Sequence, residues 1–400
     1  MPPAPSALPS RRALLVMLGA LTAFGPLSFD MYLPGLPQLA RELHTGDSGA
    51  QLSLSASMIG LGIGQVVVGP LSDQLGRRRP LLVGVAVFTL ATLACALAPN
   101  LPLLLLARLV GGIGGGAGAV IARSMVRDLF SGAEAAHAFG VTALVFGVAP
   151  VVAPLLGSAL TPLTGWRGIF VTIAVFGALL LAAAARLPET LPAQERHDAG
   201  LGRLFHAFPR VLSDRSFLAP ALAMAIGFQP LSLYLAMSSL ALQHGYGLSA
   251  QQFGLVFAAN SVGILLLGRI NLRLVRGHGP YRMLVAALLL SIVACLAVAA
   301  ATRLDASLAV VLAPLFVAIS VAGPLVPNAT TLALEHQAAA VGAAAACLGL
   351  IQSLTGSIIP PLVSLLGVTP VLMGTAMAVA SIVALVPLAL VPRPGATPVR

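Results

Sequence analysis

Along most of the chain, apolar residues fill unbroken runs of roughly twenty residues separated by short polar turns. At about 1.5 Å per residue, a helical run of that length crosses a hydrocarbon core of about 30 Å. Membrane-spanning strands are about half as long and alternate apolar with polar, so only helices fit. The runs predict spans at 13–37, 50–71, 81–98, 102–124, 136–158 and 166–187, then at 217–242, 250–270, 281–301, 306–327, 338–361 and 368–391. The first is not read as a cleaved signal segment. Arg11 and Arg12 open it, but it is long, holds Asp30 and Pro34, and is followed by no clean small-residue cleavage site.

The longest polar stretch, Pro188 to Ser216, mixes Glu189, Glu195, Arg196, His197, Asp198 and Arg203, as a solvated linker does. It separates the twelve runs into six and six. The expected organisation is an N-terminal bundle over 1–187, a cytoplasmic linker over 188–216 and a C-terminal bundle over 217–400, the halves enclosing a midplane site. Internal echoes are slight. Gly147, Pro150 and Pro154 in span five have counterparts in Gly356, Pro360 and Pro361 of span eleven, and Gly268-Arg269 with Arg273 and Arg276 echoes the Gly69–Arg79 segment.

Composition sharpens this reading. The chain is 58% hydrophobic and 8% charged, with mean hydropathy +0.98, whereas a soluble domain devotes about a quarter of its residues to charge. A soluble enzyme, a disordered chain and a secreted disulfide scaffold are excluded. A net charge of +10 would point to nucleic acid in a soluble protein. All 22 basic residues are Arg, and with both termini cytoplasmic 18 fall inside, only Arg41, Arg167 and Arg303 fall outside, and Arg108 lies within a span. The charge therefore reports orientation, and no nucleic-acid partner is expected. One inside loop, Asn328–Gln337, breaks the trend with Glu335 and no Arg. Cys95, Cys295 and Cys347 lie in apolar runs without metal-ligand spacing, so neither a disulfide framework nor a metal or other cofactor is expected.

An intramembrane charge costs about 2.5–3.5 kcal/mol on insertion scales, which marks Asp30 and Arg108 as functional candidates. Pro34 cannot donate to the Asp30 carbonyl, so the helix is expected to bend there beside the carboxylate. Asp30 precedes Gln38 by eight residues and Arg108 follows Asn100 by eight, which puts both about 12 Å deep from one face. Two roles stay open: a carboxylate that loads and releases a proton beside the arginine, or a static ion pair. The run Gly111-Gly112-Ile113-Gly114-Gly115-Gly116-Ala117-Gly118 suits close helix packing. In Gly69–Pro80, glycines allow a tight turn, and Asp73 can cap a helix terminus or pair with Arg123 or Arg127 as a latch.

These residues resemble the major facilitator superfamily. Gly69, Leu71, Asp73, Gly76, Arg77 and Arg78 match its signature Gly-x-Leu-x-Asp-x-x-Gly-Arg-Arg between spans two and three. Arg108, Gly112 and Gly114 resemble the span-four motif of proton-coupled members, with Gly111 where that motif usually has Gln. Gly147, Pro150, Pro154 and Gly157 resemble the antiporter motif, which here lacks the Gly-Pro dipeptide and ends in Ser158 instead of Gly. Asp-Met-Tyr-Leu-Pro at 30–34 and Arg-Ser-Met-Val-Arg-Asp at 123–128 are similar to the Bcr/CflA group of bacterial multidrug exporters. The resemblance covers essentially the whole chain and is strongest over 26–160.

It implies an all-α membrane fold of twelve helices in two pseudo-symmetric bundles. The implied activity is export of small amphipathic drugs or metabolites across the bacterial inner membrane, in exchange for protons, by alternating access. Asp30 and Arg108 are then the coupling residues, Asp73 the gate residue, and a monomer surrounded by lipid the expected state. The group's substrates include chloramphenicol and bicyclomycin. Polar or aromatic residues inside spans, Tyr32, Phe146, Gln229, Tyr234, Asn260 and Gln352, are candidates to line a loosely specific apolar pocket, with helix-packing contacts as the alternative for each. An importer or facilitator of a specific nutrient is the runner-up, and a non-transporting membrane sensor comes last. No paired carboxylates, metal cluster or activated nucleophile appears within the spans, so an enzyme is not expected.

Overall fold

The computed structural model describes residues 11–196, 208–335, 337 and 341–390. Of the residues named above, His197, Asp198 and Arg203 lie outside these, as do two of the eighteen inside arginines at the C-terminal end, Arg393 and Arg400. The chain divides into two compact units, Met1–Gly202 and Arg203–Arg400.

In the first unit, α1 (Arg11–Asp30) is followed by a 3-10 turn at Leu33–Gly35 and a short α2 (Leu36–Glu42). Next come α3 (Gly46–Leu75), α4 (Arg78–Leu97), α5 (Leu101–Leu129) and α6 (Gly132–Ala184). The bend expected at Pro34 is displaced. The segments Ala13–Gly25 and Leu27–Glu42 meet at 45°, one turn before Asp30, while Pro34 sits at the start of the 3-10 turn, where its missing N–H costs nothing. Pro102 likewise sits in the first turn of α5, and Asn100 caps that helix by accepting from the Leu103 N–H at 3.1 Å.

The glycine-rich run of α5 is the packing face of this unit. A Cβ at Gly112 would run into the Ser57 carbonyl oxygen, and one at Gly116 would lie 2.6 Å from that of Leu61. From the other side, Cβ atoms on Gly60 and Gly64 of α3 would strike the carbonyls of Leu109 and Ile113. Backbones this close gain dispersion and lose no side-chain entropy, which compensates for the weak hydrophobic drive between helices in lipid.

In the second unit, α7 covers 208–213, followed by α8 (Arg215–Gly227), α9 (Gln229–Tyr246), α10 (Ala250–Arg303), α11 (Leu308–Ser320), α12 (Ala322–Leu334), α13 (Val341–Ser364) and α14 (Pro370–Val383). Two expectations change here. The stretch read as solvated linker ends in α7, whose Phe208 and Val211 are buried against Phe217 and Leu284; apolar side chains spaced three apart turn it inward. Asn328, read as an inside loop residue, lies within α12, buried, and donates to Asn271 Oδ1 and to the Pro324 carbonyl, each at 2.7 Å. A pair of amides that satisfy each other can stay inside an apolar bundle.

Nine described helical stretches are long and apolar enough to cross a membrane, and the bent N-terminal pair makes a tenth. Two of the nine contain one residue outside helical geometry: Gly165 in α6 (φ 66°) and Gly279 in α10 (φ 76°).

Candidate functional site

Arg108 points from α5 into the wall of the first unit and is 3% exposed. Its Nε donates to the Ser53 carbonyl at 3.2 Å and its Nη1 to Ser28 Oγ at 3.2 Å. The guanidinium lies 4.5 Å from the Tyr32 ring centroid, 5.5 Å from Phe170 and 5.6 Å from Phe29. Desolvated cation–π contacts of this kind contribute about 2 kcal/mol. The Tyr32 hydroxyl is 2.9 Å from Ser53 Oγ, so the ring is held from both ends. Nη2 has no hydrogen-bond partner among the described residues.

Asp30 lies within a turn of this cluster, 6% exposed, yet it does not pair with Arg108. Its carboxylate has no ion pair or hydrogen bond among the described residues. The cause is azimuth. At about 100° per residue, Asp30 leaves the last turn of α1 about 160° round from Ser28, whose hydroxyl meets the guanidinium. Depth arithmetic sets the level and ignores the angle. Gly157 of α6 lets that helix lie against the chain just past Asp30, where a Cβ would strike the Met31 carbonyl oxygen.

The turn after α3 holds a second, different cluster. Gly76 takes φ +89°, which swings Arg77 back over the end of α3. Arg77 is 5% exposed and pairs with Asp73, with Asp128 Oδ2 at 2.9 Å and with Ser72 Oγ at 2.8 Å. In this structure Asp73 pairs with Arg77 and not with Arg123 or Arg127. Arg123 donates to the Ala119 carbonyl at 3.1 Å and Arg127 to Ser124 Oγ at 3.3 Å, whereas Arg77, one turn after Asp73, folds back onto it. Glu189, far along the chain, caps the start of α4 by accepting from the Arg77 N–H at 2.7 Å and the Arg78 N–H at 3.2 Å. The Arg78 side chain donates to the Leu187 and Ala185 carbonyls, both at 2.8 Å.

Burial acts to raise the Glu189 carboxyl, but the N–H groups of Leu191, Arg77 and Arg78 and the charge of Arg196 outweigh it and hold it below its ordinary value. Burial acts to lower Arg77, and the carboxylates of Asp128 and Asp73 outweigh that, so it is held more firmly protonated than usual. Asp128 and Glu189 carry this cluster without having been assigned a role from sequence. The signal was an acid closing the Arg-Ser-Met-Val-Arg-Asp run and another opening the polar stretch.

The six candidate pocket residues fall into separate places. Phe146, 48% exposed, lines a cavity of about 430 Å³ that also meets Thr22, Gln65, Arg123, Phe139 and Thr142. Tyr32 belongs to the Arg108 cluster. In the second unit the Tyr234 hydroxyl accepts from Asn260 Nδ2 at 2.9 Å, and its ring stacks on Phe257 at 5.4 Å. Gln229 is buried; its Nε2 donates to the Ala225 carbonyl at 2.9 Å, and its Oε1 has no partner among the described residues. Gln352 is half-buried on α13, with no hydrogen bond to the other five among the described residues. Gln51 of α3, not singled out from sequence, is fully buried with both amide atoms unpartnered among the described residues.

With this geometry in view, the comparisons with known proteins are specific. A model of the Major Facilitator Superfamily matches residues 18–360. The uncharacterized MFS-type transporter YdgK of Bacillus subtilis is 37% identical over 380 residues, covering 93% of this chain and 94% of that one. Multidrug resistance protein D of Escherichia coli is 31% identical over 265 residues, 65% of this chain and 66% of that one. Among solved structures, a bacterial homolog of the human lysosomal transporter Spinster aligns over 96% of both chains with a TM-score of 0.74 at 17% identity, a likeness of fold alone.

Proposed function

The chain belongs to the Major Facilitator Superfamily, a multi-pass membrane transporter with drug-resistance proteins of the Bcr/CflA type among its relatives, and on that footing we propose that it exports small amphipathic compounds in exchange for protons. One observation carries the coupling role: a buried carboxylate, Asp30, stands without a partner among the described residues at the end of α1, within a turn of a buried guanidinium that no acid among them neutralises. A paired acid is held in its charged form; an unpaired one in a desolvated site is free to take a proton and give it up. Arg108 offers the compensating charge when the segment around Ser28 and Tyr32 shifts.

The proposal includes twelve spans in two six-helix bundles, a linker between them, cytoplasmic termini and a bacterial inner membrane. The two glycine breaks, the bent first pair and the arginine distribution support it. Gly69, Asp73, Gly76, Arg77 and Arg78 form the gate in this reading, closed by Asp128 and Glu189 in place of the expected Arg123 and Arg127. Gly147, Pro150, Pro154 and Gly157 shape α6 against the Asp30 segment.

The test is resistance. Cells producing the protein should tolerate several unrelated amphipathic inhibitors at concentrations that stop control cells, and Asp30→Asn cells should match the controls. Equal tolerance with and without the wild-type protein contradicts export.

A further inference from the structure

The cavity of about 430 Å³ between α1, α3, α5 and α6 carries an asymmetry of charge that bears on what the transporter accepts. Its volume lies within the range of small-molecule sites, roughly 300–1,000 Å³. Phe139, Phe146 and Leu61 supply apolar wall. Of the polar groups, the Thr22 hydroxyl donates to the Gly19 carbonyl at 2.7 Å and the Thr142 hydroxyl to that of Phe139 at 3.0 Å, so both protons are committed. The N–H donors left for a ligand belong to Gln65 and, above all, to Arg123.

Among the described residues Arg123 donates only through its Nε, to the Ala119 carbonyl at 3.1 Å. No carboxylate among the described residues pairs with it, nor with Arg127 one turn further on. Asp73 and Asp128 are occupied by Arg77 and Glu189 by the start of α4, and Glu134, in the first turn of α6, forms no ion pair with Arg123 or Arg127 among the described residues. Arg123 is an exposed residue, and its guanidinium lines the aromatic cavity without a counter-ion among the described residues; it attracts an anion because a charge-assisted hydrogen bond is about twice as strong as a neutral one. The same charge, reinforced by Arg127, repels cations.

We propose that this cavity is a substrate site selective for amphipathic compounds that carry an aromatic body and one anionic group, a carboxylate or sulfonate, bound by the Arg123 guanidinium against Phe139 and Phe146. The assignment deepens the export reading and rests on it, but charge selectivity in binding is measurable apart from transport.

The experiment uses the full-length protein in lipid nanodiscs and two fluorescent probes of one skeleton, N-phenyl-1-naphthylamine (neutral) and 8-anilino-1-naphthalenesulfonate (anionic), each corrected against empty nanodiscs. Wild type, Arg123→Gln, Arg123→Lys and a control, Arg303→Gln, are titrated. Arg123→Gln should weaken the sulfonate by about tenfold, the factor corresponding to about 1.4 kcal/mol. It should leave the neutral amine unchanged, while Arg123→Lys keeps most of the sulfonate affinity and Arg303→Gln keeps all of it. Equal sulfonate affinity in wild type and Arg123→Gln overturns the proposal. So does parallel loss of both probes, which would make Arg123 a prop for the cavity. If binding shows the charge selectivity but cells producing the protein extrude neither probe, it is the export reading that fails.

Discussion

Arg77 and Arg108 are two buried guanidiniums in one unit, and they are housed in opposite ways. Arg77 has two carboxylates and a hydroxyl; Arg108 has two carbonyls, a hydroxyl, three aromatic faces and no acid among the described residues. A cation saturated by acids is a fastening, and breaking it strands charge on both sides. A cation held by neutral groups, with one terminal nitrogen unpartnered among the described residues, retains capacity for a negative charge that comes and goes. In the proposed reading, what surrounds the charge is what separates a fastening from a coupling residue. Burial alone, nearly equal at 5% and 3%, does not distinguish them.

The largest effect on stability should follow from Arg77→Ala, which leaves Asp73 and Asp128 without their cation; the acids are 41% and 16% exposed, so solvent takes up part of their charge and the cost should be about 2–3 kcal/mol, below that of a fully buried pair. Thermal unfolding in detergent should show a large drop that Asp73→Asn with Asp128→Asn partly restores. Arg108→Gln should behave in the contrary way. It strands no acid, and the aromatic contacts it gives up are offset by no longer burying a charge, so stability should move by less than about 1.5 kcal/mol, while resistance is lost. If Arg108→Gln melts as early as Arg77→Ala, the distinction collapses.

A smaller effect is expected from Glu189→Gln, about 0.5–2 kcal/mol by the usual worth of a helix cap. Its sign with pH is fixed. The carboxyl is depressed in the folded protein, so its contribution is complete above the ordinary glutamate value of about 4.3 and fades as pH falls through the lower folded value. Melting curves of wild type and Glu189→Gln should therefore converge in acid. Tyr32→Phe should do least. It removes the hydroxyl contact with Ser53, worth about 0.5–1.5 kcal/mol, and keeps the ring under Arg108.

Much of this unit is legible from sequence because lipid imposes simple rules. Apolar run length marks the helices, and the glycines of α5 foretell its tight packing against α3. What escapes is direction. Eight-residue counting brings Asp30 and Arg108 to one level, but the residues that touch Arg108 are decided by the turn of α1 and its 45° bend. In the sequence Asp73 has distant arginines for partners and Arg77 reads as a topological charge; the positive φ of Gly76 turns Arg77 inward. Glu189 lies 112 positions from the N–H it caps, and no local pattern reports a contact at that separation. Asn328 reads as a loop residue until Asn271 is found beside it.

The most direct test measures protons. Purified wild-type protein in weakly buffered detergent solution, given the compound to which it confers the greatest resistance, should release protons that a pH indicator detects. Asp30→Asn should bind the same compound and release none. Proton release from Asp30→Asn equal to that of wild type would contradict the assignment of Asp30 as the coupling carboxylate.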